Sequence, residues 1–397
     1  MKISPARMAR IQKALAGNGL DALFCRLSEH VLYFTGYWPR NHVGAALVPA
    51  SGNPVLLLSE LEAGWELDRT PPADGVDVVT FPFESAELLR GPGDGFASIL
   101  PAVFERLGLN DKVIGIEQGF EICNVGMFQG EVKYPAQPTW ELLRGIFPKA
   151  RFQDAAGVIM GLRRIKSPEE VEAIRMAIEI AGFGFHAARE ALKPGMKETE
   201  LAAIIESAIH TQGTGYKGVI QARGYACVYS GARSAMQWTH YAYSTDRRIQ
   251  KNEVVIIELG SFADGYWADL TRNLCAGTPP ERVKAMFDVA LGAQKAALDA
   301  AQAGIRISEL DRAARQYMQA QGYAQYWPHG LGHGVGMAYH EGPPVHMAYH
   351  EPLEAGMVLT LEPGIYIEGL AGIRPEDMIV AGESHSEVLS CAIPHVL

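Results

Sequence analysis

The stretch VVIIELGSFADGYWADLTRN, residues 254–273, constrains this chain more than any other. Its aliphatic run reads as a buried strand. That strand delivers a carboxylate, Glu258, and eleven residues later a second, Asp269, just before Leu270, Thr271 and Arg272. Burying an ionised carboxylate costs several kcal/mol unless a cation or a set of donors answers it. Whatever fold forms here has to supply that compensation.

More such residues follow. HGLGHGVGMAYHEGPP carries His329, His333 and His340, MVLTLEPGIYI carries Glu362, and GIRPEDMIV carries Glu376, each at the end of or beside an apolar, strand-like run. Taken singly, each has an ordinary explanation: a Glu before Pro-Gly caps a turn, and a histidine on an apolar face is commonly a hydrogen-bonded core residue. Together, four carboxylates in one region call for cations, and a pair of divalent metal ions supplies them. One imidazole and four carboxylates form a hard, oxygen-rich set that suits manganese, cobalt, iron or zinc and lacks the thiolates of a structural zinc centre. Two ions bridged by carboxylates generate hydroxide near neutral pH and clamp the attacking and leaving oxygens.

The totals agree with small-molecule chemistry. At 397 residues, 48% of them hydrophobic and 20% charged, the chain has room for two domains. A formal net charge of −10 and the lack of any Lys/Arg run argue against a nucleic-acid or anionic-membrane partner. Cys25, Cys123, Cys227, Cys275 and Cys391 have no CxxC spacing and are odd in number, so a disulfide framework is not expected. No signal-peptide core or membrane-length apolar segment is evident, and a cytoplasmic protein is expected.

Along the chain, a short amphipathic helix at 7–17 leads into DALFC, VLYFTGY, VGAALVPASGNPVLLL, GVDVVTFPF and KVIGIE, apolar runs alternating with turns and helical spacers. Prolines 135, 138 and 148 then punctuate a poorly periodic stretch. A new pattern starts at RIKSPEEVEAIRMAIEIAGFGFHAAREALKPG, where Ser167 and Glu170 suit a capping box and Pro168 a first helical turn. Two helices followed by strands recur: ETELAAIIESAIHTQG completes the first pair, and helices at 280–300 and from Ser308 to near Gly322 make the second. This suggests an internal structural repeat. MAYHE occurs at 337–341 and again at 347–351, the second copy being expected as loop.

The linked set Glu258, Asp269, His333, Glu362 and Glu376 resembles the metal ligands of the pita-bread metallopeptidases, above all the prolidase (Xaa-Pro dipeptidase) and aminopeptidase P type. RRIKSPEEVEAIRMA and LKPGMKETELAA look like that family's entry into its catalytic domain, and GLDALFCRLSEHVLYFTGY like the start of a creatinase-type N-terminal domain. The resemblance implies an α/β N-terminal domain over residues 1–155. It also implies an α+β pita-bread domain over 156–397, a curved antiparallel sheet backed by helices with an internal pseudo-twofold. It implies that Asp269 and Glu376 bridge two ions, that His333 and Glu362 complete the first site, and that Glu258 chelates the second. Manganese is the first choice of metal, with cobalt, zinc or iron as alternatives. His240, His329 and His340 would steady the scissile carbonyl and the tetrahedral intermediate, and Arg374 would orient the carboxylates. The implied activity is cleavage of the amide bond before proline in dipeptides or short peptides. The implied assembly is a homodimer, with YWPRN, Tyr37 to Asn41, as one edge of the partner's site.

Two departures qualify this. Glu258 stands where the family's peptidases have Asp, and its extra methylene moves the carboxylate by roughly 1 Å or more, whereas metal–ligand distances hold to within about 0.2 Å. Pro375 removes a backbone donor beside Glu376, suggesting an edge or bulge. Two other readings therefore stay open: a metal-poor or metal-free amidohydrolase of the creatinase or ectoine-hydrolase type, with Glu258 as base or nucleophile, and a non-catalytic binding protein.

Overall fold

Short apolar runs bounded by turn residues become the strands of the N-terminal part, and the computed structural model describes residues 2–40, 43–83, 92–119, 137–238 and 243–397. The described chain forms two compact units that divide between Arg163 and Arg164.

In the first unit, β1 (Ala22–Cys25), β2 (Ala45–Pro49), β3 (Val55–Ser59), β4 (Asp77–Phe81), β5 (Val113–Ile116) and β6 (Arg151–Asp154) form one mixed sheet in the order β4-β3-β2-β1-β5-β6. The helices are α1 (Pro5–Gly17), α2 (Ser28–Thr35), α3 (Glu60–Glu66), α4 (Pro92–Leu107), α5 (Gln137–Ile146) and α6 (Ala156–Arg164). Helix α1 opens as its sequence dictates: the Ser4 hydroxyl accepts the Arg7 N–H at 3.3 Å, and Pro5 occupies the first turn. Phe24 on the central strand packs edge-on to Phe96 and Trp140, at 6.2 and 6.3 Å, which fastens α4 and α5 to the sheet.

A polar knot sits in this unit. Glu117 accepts the Arg26 and Leu27 N–H groups at 2.6 and 2.8 Å and pairs with His30 Nδ1, while Arg163 donates to His30 Nε2 at 3.0 Å. A guanidinium can only donate, so Nε2 accepts and Nδ1 carries the proton toward Glu117. Of the Tyr37 to Asn41 stretch, Tyr37 is buried and donates to Glu62 Oε1 at 2.9 Å, as does the Arg40 N–H at 2.6 Å. Trp38 and Arg40 are half-buried, and Asn41 lies outside the described residues.

The second unit shows the expected double order of two helices followed by strands. Helices α7 (Pro168–Ala191) and α8 (Glu198–Ala208) precede β7 (Ala222–Ser230), β8 (Val254–Ala263) and β9 (Tyr266–Cys275), an antiparallel sheet ordered β7-β8-β9. Helices α9 (Glu281–Ala300) and α10 (Ile307–Ala320) precede β10 (Gly332–Gly334), β11 (Glu341–Val345), β12 (Val358–Leu361), β13 (Ile365–Ile367), β14 (Ala371–Ile373), β15 (Asp377–Val380) and β16 (Glu387–Val388). Five of these form an antiparallel sheet, β11-β10-β12-β15-β16, while β13 and β14 pair as a separate hairpin. Helix α9 turns Met286, Ala290, Ala293 and Ala297 toward Leu310, Ala314 and Met318 of α10 and toward Leu359, Leu361 and Ile379 of the sheet. Small residues at helical spacing let the two helices lie close.

Three local expectations change in detail. At α7, Glu170 accepts the Ser167 N–H at 3.0 Å, but the Ser167 hydroxyl finds no partner among the described residues, so half of the capping box is made. Helix α10 starts after Arg306 rather than at Ser308, which lies buried in its first turn. Around Pro375 the strand is interrupted rather than bulged: residues 374–376, between β14 and β15, belong to no ladder, and Pro cannot donate to one. The second MAYHE lies in loop after β11, as expected.

Glu117→Gln removes the charge that the Arg26 and Leu27 N–H groups and His30 answer, and leaves these three donors facing a neutral amide. The variant is expected to lose about 2 kcal/mol of stability, within the range for hydrogen bonds to a charged group. A urea midpoint unchanged from wild type would show that the knot does not hold this unit.

Candidate metal centre

The β8–β9 hairpin places two acids on one face. Asp264 and Gly265 both have positive φ, the backbone that a two-residue type I′ turn needs. The turn fixes a register in which Glu258 lies opposite Thr271 and Gly260 opposite Asp269. Opposed residues and residues two apart share a face, so Glu258, Gly260, Asp269 and Thr271 point the same way. Toward them come His333 from β10, Glu362 just after β12, and Arg374 and Glu376 from the segment before β15.

His333 stands at the meeting point. Its Nε2 is 3.3 Å from Asp269 Oδ2 and 3.4 Å from Glu362 Oε1. Its Nδ1 is 2.9 Å from the Gly334 carbonyl, which can only accept, so Nδ1 carries a proton, and in the neutral imidazole Nε2 presents a lone pair. Buried Nε2 of His333 and Oε1 of Glu376 make no hydrogen bond among the described residues. Two groups with potential ligand atoms within 4.8 Å of one another share this imidazole: Asp269, His333 and His340, and His333, Glu362 and Glu376. One nitrogen lone pair among carboxylate oxygens fits a divalent ion of the manganese, cobalt, iron or zinc type.

The electrostatics point the same way. Burial, with Glu376 beside it, pushes the Glu362 carboxyl up to about 7. Burial and Asp269 push Glu376 up to about 8. Asp269 rises well above its usual range, from burial first and then from Glu258 and Glu362. Arg374 answers part of this charge. Its Nη1 is 3.3 Å from Glu362 Oε2, and its Nη2 is 3.2 Å from Glu258 Oε2 and 3.7 Å from Glu376 Oε2. Burial works against the guanidinium charge, but Glu258 and Glu362 outweigh it and hold the group protonated. Arg374 also donates to the Thr271 hydroxyl at 2.6 Å, and Thr271 donates to Glu376 Oε2 at 2.6 Å. That relay fixes Glu376 by one oxygen and leaves the other, Oε1, without a hydrogen bond among the described residues.

Glu258 is placed differently. It reaches the site but belongs to neither ligand-distance group; its neighbours are Gln237, Tyr339 and Arg374. His340 lies nearer the ligands than a purely substrate-side role requires, with Nε2 3.6 Å from Asp269 Oδ2 and its ring 4.1 Å from that of His333. His329 is farther out, its Nε2 3.0 Å from Tyr366 Oη, which in turn lies 3.4 Å from Gln237 Oε1. His240 lies outside the described residues. Sequence reasoning did not single out Gln237, Tyr339, Thr271 or Tyr366 as site residues. Tyr339 and Thr271 each sit within two residues of a residue that it did name, and that adjacency was the available signal. A further close group, Cys25, His30 and Glu117, sits in the first unit, where the Arg26 and Leu27 N–H groups and His30 already answer its carboxylate and Arg163 donates to His30.

Comparisons with known proteins show the family. Residues 172–383 match the model of metallopeptidase family M24, and residues 7–165 match that of the creatinase/prolidase N-terminal domain. A Xaa-Pro dipeptidase of Pyrococcus horikoshii is 37% identical over 98% of each chain, and one of Lactobacillus delbrueckii is 36% identical over 93% of this chain and 92% of that one. Among solved structures, a prolidase from Pyrococcus furiosus shares 30% identity at a TM-score of 0.72, covering 96% of this chain and 98% of that one. An X-Pro aminopeptidase from Thermotoga maritima shares 26% identity at a TM-score of 0.78, covering 95% and 97%. The architecture is thus the two-domain creatinase-type and pita-bread arrangement, and the chain belongs to metallopeptidase family M24.

Proposed function

We propose that this chain is a metal-dependent dipeptidase that cleaves the amide bond preceding proline, with Asp269, His333, Glu362 and Glu376 holding a divalent ion, manganese first among the candidates. The observation that carries this is the buried pair His333 Nε2 and Glu376 Oε1, neither hydrogen-bonded among the described residues, with His333 Nε2 3.3 and 3.4 Å from oxygens of Asp269 and Glu362. The names of the relatives support the substrate class. When bound, the ion supplies Lewis acidity and lowers the pKa of a water molecule. The chain's own groups do the rest. His340 and His329 line the approach as donors toward a polarised carbonyl, and Arg374 and Thr271 keep the carboxylates in register. The site's surplus of negative charge holds the ion.

The homodimer and the cytoplasmic setting complete the proposal and rest on the family resemblance; among the described residues no helix is long and apolar enough to cross a membrane. Against the metal-free amidohydrolase reading, Glu258 has both oxygens near donors from its own chain, a poor state for a free base or nucleophile.

The test is hydrolysis of Leu-Pro, with Leu-Ala and a small cyclic amide as controls, by chelator-treated protein given Mn²⁺, Co²⁺ or Zn²⁺. Metal-dependent turnover of Leu-Pro is expected, and its absence with every ion would sink the proposal. His333→Ala should lose both bound metal and more than about 100-fold in activity, since even residues behind metal ligands cost 10–100-fold.

The raised carboxyls also fix a pH dependence for the metal-free protein. Between the ordinary glutamate range and about 8, the folded chain holds protons on Glu362 and Glu376 that the unfolded chain has released. Their contribution to stability is present at low pH and fades as pH rises through about 7 and then about 8. Thermal midpoints of chelator-treated protein should therefore fall across this window, and less so in Glu376→Gln. An equal fall in that variant would remove Glu376 as a cause.

A further inference from the structure

Glu258 and His333 face the same space with opposite hydrogen-bond status. His333 Nε2 and Glu376 Oε1 make no hydrogen bond among the described residues. Glu258 is ringed by donors: Oε2 accepts from Gln237 Nε2 and lies 3.2 Å from Arg374 Nη2, and Oε1 lies 3.2 Å from Tyr339 Oη. The phenol has one proton, which goes to the nearer oxygen, Asp269 Oδ1 at 2.6 Å, so one hydroxyl lies between the two carboxylates that a second ion would need.

Tyr339 has a built seat. Its ring lies over Gly260, where a Cβ would come within 2.8 Å of Cε2, and stands edge-on to Trp267 and His340 at 5.7 and 4.5 Å. Gln237 is oriented too: its Oε1 is 3.4 Å from Tyr366 Oη, which turns the amide nitrogen toward Glu258. Fixed donors compete with an ion for the lone pairs of the oxygen they hold, so Glu258, with Gln237 and Arg374 on one oxygen and Tyr339 beside the other, ligates at a cost that a bare lone pair does not carry. Both ligand-distance groups in this unit include His333, and neither includes Glu258.

We propose that Tyr339 is a positioning residue that holds Glu258 and Asp269 Oδ1 in a hydrogen-bonded arrangement, so that the chain keeps one divalent ion tightly at His333 and no second ion of comparable affinity. This rests on the metallopeptidase reading. Gln237 and Arg374 serve the same arrangement from the other oxygen of Glu258.

The experiment is a Mn²⁺ titration of the full, chelator-treated chain by calorimetry, with electron paramagnetic resonance of the loaded protein. Wild type should take one tight ion and give an uncoupled manganese spectrum, with full Leu-Pro turnover at one equivalent. Tyr339→Phe keeps the ring packing and removes the hydroxyl, and should bind a second ion at least about tenfold more tightly than wild type, with an exchange-coupled spectrum. Glu258→Asp, which draws the carboxylate back from its donors, should move the same way and serves if the Phe variant does not fold. Two tight, coupled ions in wild type would overturn the inference and leave the peptidase reading standing. One ion in wild type and again in Tyr339→Phe would overturn the role of Tyr339. No ion in any of the proteins would overturn both readings.

Discussion

The catalytic unit is arranged around a charge imbalance. Glu258, Asp269, Glu362 and Glu376 converge in a buried space, and Arg374 is the permanent cation set among three of them. Desolvation raises three of these acids, and their mutual repulsion raises them further. One guanidinium cannot neutralise four carboxylates. The remaining negative charge sits where His333 offers a neutral nitrogen lone pair, and a divalent cation answers that combination with the least rearrangement.

Holding such a set together needs stiff supports. Each acid or imidazole is on a strand or within a residue of one, and the strands belong to two antiparallel sheets backed by helix pairs. The path from Arg374 through Thr271 to Glu376 ties the segment before β15 to the β8–β9 hairpin by hydrogen bonds of 2.6 Å. Asn273 adds a second tie, accepting the Arg374 N–H at 3.1 Å and donating to its carbonyl at 2.9 Å. These ties set the ligands before any ion arrives.

Much of this was legible in the chain. Acids inside aliphatic runs are costly enough to announce a compensated site, and the two-helices-then-strands order shows in helical periodicity and turn residues. What stayed hidden depends on register and on contacts between distant segments. Nothing in the string MAYHE says that Tyr339 will lie over Gly260, because that follows from the approach of β10 and its flanking loop to β8. Gln237 lies twenty-one residues before Glu258 and meets it through tertiary packing alone. At Pro375 the sequence suggests an edge or bulge and the structure has an interruption, because turning Arg374 and Glu376 toward one centre is a tertiary demand. The start of α10 was misplaced by two residues, the ordinary reach of a capping argument at a helix end.

Glu258 and Tyr339 are best understood as a pair. A longer side chain at 258 carries its carboxylate past the place where a shorter one would stop, and there it meets Gln237, Tyr339 and Arg374. An acid displaced in this way would be a buried, unanswered charge unless donors were waiting for it. Gly260 leaves room for a large aromatic ring against β8, and the hydroxyl on that ring reaches Asp269 as well as Glu258. The extra methylene, the missing side chain at 260 and the phenol at 339 thus form one coherent local solution. It explains how the chain accommodates Glu at this position while leaving the acids around His333 in an arrangement suited to an ion.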